Sequence, residues 1–242
     1  MIAQRDWFRK VLEAMAASHI RYVNAVPPPK RVSAPLGFNY RYVEQTYEQA
    51  IIQKLARIVT GLQSAHLLLD TGFLQEGATI QRGVDEASED SDFLCFAKIL
   101  GNPTANHEAF LRKFWSEETD KTNTVRRTTI RDYIATTLSE LISHPVDSVR
   151  QPAVSVYTMY SGYAHARSPQ VMEMFDGAPP SWRLGGNPNS RFQRDHLFDI
   201  RNQYIRGTYS FAFAAQVFDE PDLFQQLVGL ANEFSQATDE PA

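Results

Sequence analysis

The sequence predicts an all-α fold: a single helical bundle of about seven or eight helices, built on long antiparallel hairpins. Three observations carry this. Apolar residues recur at the helical period of about 3.6 residues through most of the 242 residues. Clusters of proline and glycine cut the periodic runs into long segments. No run of alternating β-branched residues bounded by turns stands out, so no strand is expected. With 43% apolar and 21% charged residues the whole chain, 1–242, reads as one domain with a sizeable core.

The first helix spans residues 4–24, where Trp7, Val11 and Met15 make one stripe with Phe8 and Leu12 beside it. Pro27, Pro28 and Pro29 stop it, because proline lacks an N–H and disfavours helix in the residue before it. Residues 25–38 then read as an arm or loop. From about Asn39 to Asp70 the helical pattern resumes with Val43, Tyr47, Ile51, Leu55, Ile58, Leu62, Ala65 and Leu69. Thr71-Gly72 gives a stop with glycine at the left-handed cap position. The next helix, 73–100, follows at once, so the two are expected to pair as an antiparallel hairpin.

Shorter amphipathic segments follow at 105–118 and from Ile130 to Ile142, and Pro152 reads as the first turn of a helix running to His165. Residues 166–190 hold four prolines and three glycines, the longest irregular stretch, with one helical turn at Val171–Phe175. A loop of that length in a compact domain points to function or mobility. Two helices complete the chain, 191–218 and one restarted by Pro221, before a polar, frayed tail at 236–242.

A net charge of −4 argues against nucleic-acid binding by the whole surface, but leaves room for a local basic site. The single cysteine, Cys95, excludes an internal disulfide and a cysteine-based zinc site, and reads as a small buried apolar residue. The longest apolar uncharged runs, Ile58–Leu69 and Gly207–Phe218, are 12 residues each, short of the about 20 a membrane span needs. The N-terminal MIAQRDWFRK lacks the apolar core of a signal peptide, so a cytoplasmic location is expected. The common phosphate-loop, dinucleotide, zinc-protease and serine-hydrolase signatures are absent, as is a DNA-specific motif. Neither a cofactor nor a metal is expected: no Glu-x-x-His pair occurs for a di-metal bundle.

Two constellations carry chemistry. On the 73–100 helix, Arg82 and Glu86 are four apart and so neighbours on one face, flanked by Asp85 and Glu89. They interrupt an apolar stripe made by Leu74, Ala78, Phe93 and Phe96. In a dry site the arginine could hold an anion or a carboxylate in a fork; on an exposed face the pair contributes only about 0.3–0.5 kcal/mol. Near the end of a later helix Ser161 and His165 are again four apart, sharing a stripe that begins with Val154 and Tyr157. The imidazole suits general acid–base chemistry, and the alternative is a core histidine bonded to serine and backbone. Gly162 lowers helix stability there by about 1 kcal/mol relative to alanine, which a close approach by a neighbour would explain.

This layout resembles a group of bacterial and phage all-helical proteins of unknown function that are distantly HEPN-like. The matches are Arg82 and Glu86 in IQRGVDE, then Ser161 and His165 in YSGYAHARS, over roughly residues 45–170. The resemblance implies a core of helical hairpins, a homodimer, and RNA or nucleotide as partner. Catalytic members of the HEPN group are metal-independent ribonucleases with an arginine five to seven positions before a histidine. Before His165 those positions hold Tyr160, Met159 and Thr158, so the chain departs from the pattern. The spacing does occur at Arg191–His196, and Arg191, Arg194, Arg201 and Arg206 give that helix a basic character suited to phosphate contacts. The alternative is a solvated helix face. The expected function is therefore a ligand-binding or interaction module with a buried polar site of Arg82, Glu86, Ser161 and His165. In that reading Asp85, Arg191, Arg194 and His196 contribute to ligand binding. The second reading is a metal-independent ribonuclease or nucleotide-phosphate-binding enzyme.

Overall fold

The computed structural model describes residues 2–34, 37–116, 125–177 and 179–239. Among these there are nine α-helices, and the fold is all-α. In chain order they are α1 (Ile2–Asn24), α2 (Tyr47–Asp70), α3 (Leu74–Ile99), α4 (Ala105–Trp115), α5 (Arg127–Ile142) and α6 (Val146–Ala164), followed by the single turn α7 (Ser168–Val171), α8 (Arg191–Val217) and α9 (Pro221–Ala237). No helix among the described residues is long and apolar enough to cross a membrane.

The centre is the α2–α3 hairpin. Its direction follows from its partners: Glu48 pairs with Lys98, Lys54 with Asp90, Gly61 lies against Val84, and Gly77 against Leu69. As one residue number rises the other falls, so the helices are antiparallel. Glycine is required at two of these crossings. A Cβ on Gly61 would collide with Cγ2 of Val84, and one on Gly77 would lie 2.7 Å from Cδ2 of Leu69. The turn is the one the sequence predicts: Gly72, at φ +83°, follows the cap, with the Phe73 N–H donating to the Leu68 carbonyl at 2.9 Å.

Helix α8 lies along both members of the hairpin, α1 covers α2 and α8, α9 packs on α8 and α1, and α5 and α6 cover α3. Val11, Met15, Ile51, Leu55, Ile58, Leu62, Phe93, Tyr204, Phe211 and Phe234 belong to one contiguous core, and Cys95 is fully buried within it. Phe8 ties three helices together, with its ring edge-on to Tyr204 at 4.7 Å and to Phe234 at 5.1 Å.

Four expectations change. Strands are present after all: β1 (Lys30–Ala34) pairs with β2 (Gly37–Arg41), and β3 (Phe175–Gly177) with β4 (Pro180–Trp182), both antiparallel. They are too short, and too closely flanked by proline and glycine, to show a period of two. Secondly, α2 starts at Tyr47 rather than Asn39. Thr46 and Gln49 form a capping box there, Gln45 has φ +56°, and Val43 is exposed instead of continuing the apolar stripe. Thirdly, α6 starts at Val146, which puts Pro152 inside the helix and not in its first turn.

Lastly, the two segments expected to be irregular or frayed are partly structured. Residues 166–190 hold α7, a 3-10 turn and the second hairpin. Their end clasps the α2–α3 turn: the Asn187 N–H donates to the Gly72 carbonyl at 2.8 Å, and Gln193 Nε2 donates to the Leu69 and Asp70 carbonyls. A Cβ on Gly186 would lie 2.8 Å from the Thr71 carbonyl oxygen, so the two backbones touch with no room for a side chain. Of the tail, Gln236 and Ala237 belong to α9, and the buried Thr238 accepts through its carbonyl from Arg201 Nη1 at 2.8 Å. Residues 240–242 lie outside the described residues.

Candidate functional site

Helix α3 carries an unusual load of charge for the central helix of a bundle. Asp85, Glu89 and Asp90 are buried, and Glu86 is half-buried. Cations from three other helices meet them. Arg206 of α8 donates to Asp85, and Lys54 of α2 sits 2.7 Å from Asp90. Arg131 of α5 grips Glu89 with two bonds, Nε to Oε1 at 2.6 Å and Nη2 to Oε2 at 3.2 Å. Arg127, four residues before Arg131 and so on the same face, reaches Asp90 at 2.5 Å and lies 3.8 Å from Glu89. Burial raises the pKa of Asp85 and of Glu89, against the opposing pull of their arginines. Asp92 is pushed up to about 7, chiefly by desolvation, with a Ser210 hydrogen bond and Arg206 working the other way.

Next to this buried seam is the constellation singled out in the sequence, and its members meet. Arg82 Nε donates to Glu86 Oε1 at 3.2 Å, and Nη1 reaches Ser161 Oγ at 3.3 Å and His165 Nε2 at 3.4 Å. Nη2 donates to Tyr157 Oη at 3.1 Å. Because an arginine N–H only donates, the facing nitrogen of His165 accepts, and the ring proton is placed on Nδ1. Tyr157 joins the two clusters. Its ring lies under the Arg131 guanidinium at 3.7 Å and the Arg82 guanidinium at 4.9 Å. A continuous path runs from Glu89 through Arg131, Tyr157 and Arg82 to His165.

The position of His165 is set by the end of α6. Ala166 has φ +47°, its N–H donates to the Tyr163 carbonyl, and the Arg167 N–H donates to the Gly162 carbonyl at 3.0 Å. This is a Schellman ending with alanine where glycine is usual. Gly162 admits a close neighbour: an added Cβ would lie 2.7 Å from the Gln170 side chain. The approach comes from the side chain of α7's third residue.

Two features of the site differ from expectation. The site is half-buried, not buried: Arg82 is 19% and Glu86 31% exposed, and His165 is at the surface. The stripe from Val154 does not face the deep core either. Val154 is exposed, and the inward residue of α6 is Tyr160, whose hydroxyl donates to Gln81 Oε1 at 2.7 Å.

The other site residues separate. Asp85 belongs to the seam through Arg206. His196 is buried, its Nε2 2.9 Å from Glu173 Oε2, while Tyr163 donates to the other oxygen of Glu173 at 2.6 Å. Arg191 and Arg194 are exposed, and the Arg191 guanidinium lies over the ring of Phe192. Arg191 lines an open cavity of about 560 Å³ with Asp176, Arg183, Asn187 and Ser190. Arg191 and His196 thus engage different partners, and the arginine-to-histidine spacing does not assemble a common site. Sequence reasoning missed Arg127, Arg131 and Lys54. The four-residue spacing of the two arginines was the available signal, hidden by their place at the polar start of α5.

No family model, curated protein or solved structure matches this chain. What the fold and the cluster define together is an all-α bundle with an ionic central helix and a half-buried Arg–Glu–Tyr–Ser–His cluster at its edge.

Proposed function

We propose that the protein is a non-catalytic helical module that binds a ligand or partner beside the Arg82 cluster. The observation that carries this is the state of Arg82. Of its five N–H groups, four are directed at Glu86, Ser161, His165 and Tyr157. A guanidinium so occupied cannot offer a two-pronged fork to a phosphate or a transition state. Its role is to lock α6 on α3 and to hold His165 at the surface. The order of the Arg–Glu and Ser–His pairs supports grouping the chain with HEPN-like proteins, and a homodimer belongs to that reading.

A double-mutant cycle tests it. Arg82→Ala and His165→Ala should each lower the melting temperature, and the double variant should lose less than the sum, by about 0.5 kcal/mol or more. Additive losses would show that the pair does not act as one unit. The second reading, a metal-independent ribonuclease, is favoured by one observation: an exposed imidazole within 3.4 Å of an arginine. RNA incubated with the protein in EDTA decides it. Cleavage by the wild type that is lost in His165→Ala would replace the first reading with the second.

A further inference from the structure

We propose that the β1–β2 hairpin is an arm that binds single-stranded nucleic acid, with Phe38 and Tyr40 stacking on bases and Lys30 and Arg31 meeting phosphates. The hairpin is distinct from the Arg82 cluster, and the proposal does not rest on the reading given for that cluster. The two strands pack on each other and make no extensive contact with any helix. Every residue of β2 is exposed. A two-stranded hairpin on its own is marginal in water, yet this one presents large rings to solvent: Phe38 is 47% and Tyr40 65% exposed.

The register sorts the side chains. Arg31 pairs with Tyr40 and Ser33 with Phe38, so these four share one face; Lys30, paired with Arg41, and Val32, paired with Asn39, share the other. The aromatic face is pre-arranged. The Arg31 guanidinium lies 3.8 Å over the Phe38 ring, and Phe38 and Tyr40 meet edge to face at 5.6 Å. Phe38, capped on one face by Arg31, and Tyr40, set at 89° to it, offer two separate ring surfaces, which every base can use because each has a π-face. The charge agrees. Between Asn24 and Glu44 there is no acidic residue and there are three basic ones, in a chain of net charge −4. Pro27–Pro29 favour the stiff polyproline conformation, which suits a stalk between α1 and the arm. A second copy packed arm to arm is the less suitable occupant, since it would bring one cationic arm against another.

Fluorescence anisotropy of the full chain with labelled oligo(U), oligo(dT) and a duplex of equal length tests this. Both single strands, or one of them, should bind more tightly than the duplex; preference for oligo(U) assigns the arm to RNA and for oligo(dT) to DNA. Phe38→Ala and Tyr40→Ala should each weaken binding about tenfold. Lys30→Glu with Arg31→Glu should weaken it further and flatten its salt dependence. The melting temperature of all three variants should stay at that of the wild type, because the arm makes no extensive contact with any helix. Absence of binding at low salt, binding unchanged in Phe38→Ala and Tyr40→Ala, or self-association lost in those variants would each overturn the proposal.

Discussion

Replacing Arg131 with methionine should be among the costliest single changes in this protein. The side chains of Arg131 and Glu89 are only 6% and 2% exposed, and two hydrogen bonds join them. Removing one partner of a buried pair leaves an uncompensated charge and typically costs about 3–5 kcal/mol. Here Arg127 remains 3.8 Å from Glu89 and softens the loss, so the low end, about 3 kcal/mol, is expected. For a chain of this size that is a fall in melting temperature of about 6–12 °C. Changing Glu89 to leucine in the same protein should recover most of it, since an apolar pair of similar volume needs no solvation. The loss should also shrink as pH falls into the carboxylate range, where an orphaned Glu89 takes up a proton. Thermal unfolding followed by circular dichroism, for both single variants and the double one, reads all of this. A loss in Arg131→Met below about 1 kcal/mol would place the pair among ordinary surface ion pairs and refute a buried ionic seam.

Two further predictions concern α3 and its neighbours. Asp92 holds its proton up to about pH 7 in the folded chain, against an ordinary value of 3.8. The stability of the neutral form is therefore complete below the ordinary carboxylate range and is lost as pH rises through about 7. The groups that act on it are Ser210, Arg206, Glu89 and Asp85, none of which the Asp92→Asn change removes. That variant should flatten the decline in denaturant stability over this window, whereas an unchanged slope would assign the decline elsewhere. Gly61→Ala should destabilise by about 1–3 kcal/mol, because the new methyl meets Val84. Gly229→Ala in α9, with no atom within 4 Å of the added Cβ, should instead stabilise by about 0.5–1 kcal/mol. Equal effects in the two would refute the close crossing of α2 and α3.

The long helices were legible because their stripes are written in the chain at a fixed period and their ends in residues such as Gly72 and Pro27. The convergence of Arg82, Glu86, Ser161 and His165 was partly legible, since each pair shares a face of its own helix. What joins the pairs was not. Tyr157 and Arg131 act across helices, and the distance from Arg131 to Tyr157 depends on how α5 and α6 pack on α3. The same holds for His196, whose partner Glu173 comes from an irregular segment with no period to read. The hairpins escaped for another reason: strands of three and five residues offer too few positions for alternation to stand out.

The clasp of Asn187 on Gly72 has a topological consequence. It closes a non-covalent ring through more than a hundred residues, from Gly72 to Asn187. Arg82, Arg131, Tyr157, Ser161 and His165 all lie inside that ring. Loop entropy grows only slowly with length, so a ring of this size adds little cost beyond that of a short one. The stretch of chain that carries these residues therefore begins and ends at one backbone junction, where Gly72 and Gly186 leave no space for anything wider than the chain itself.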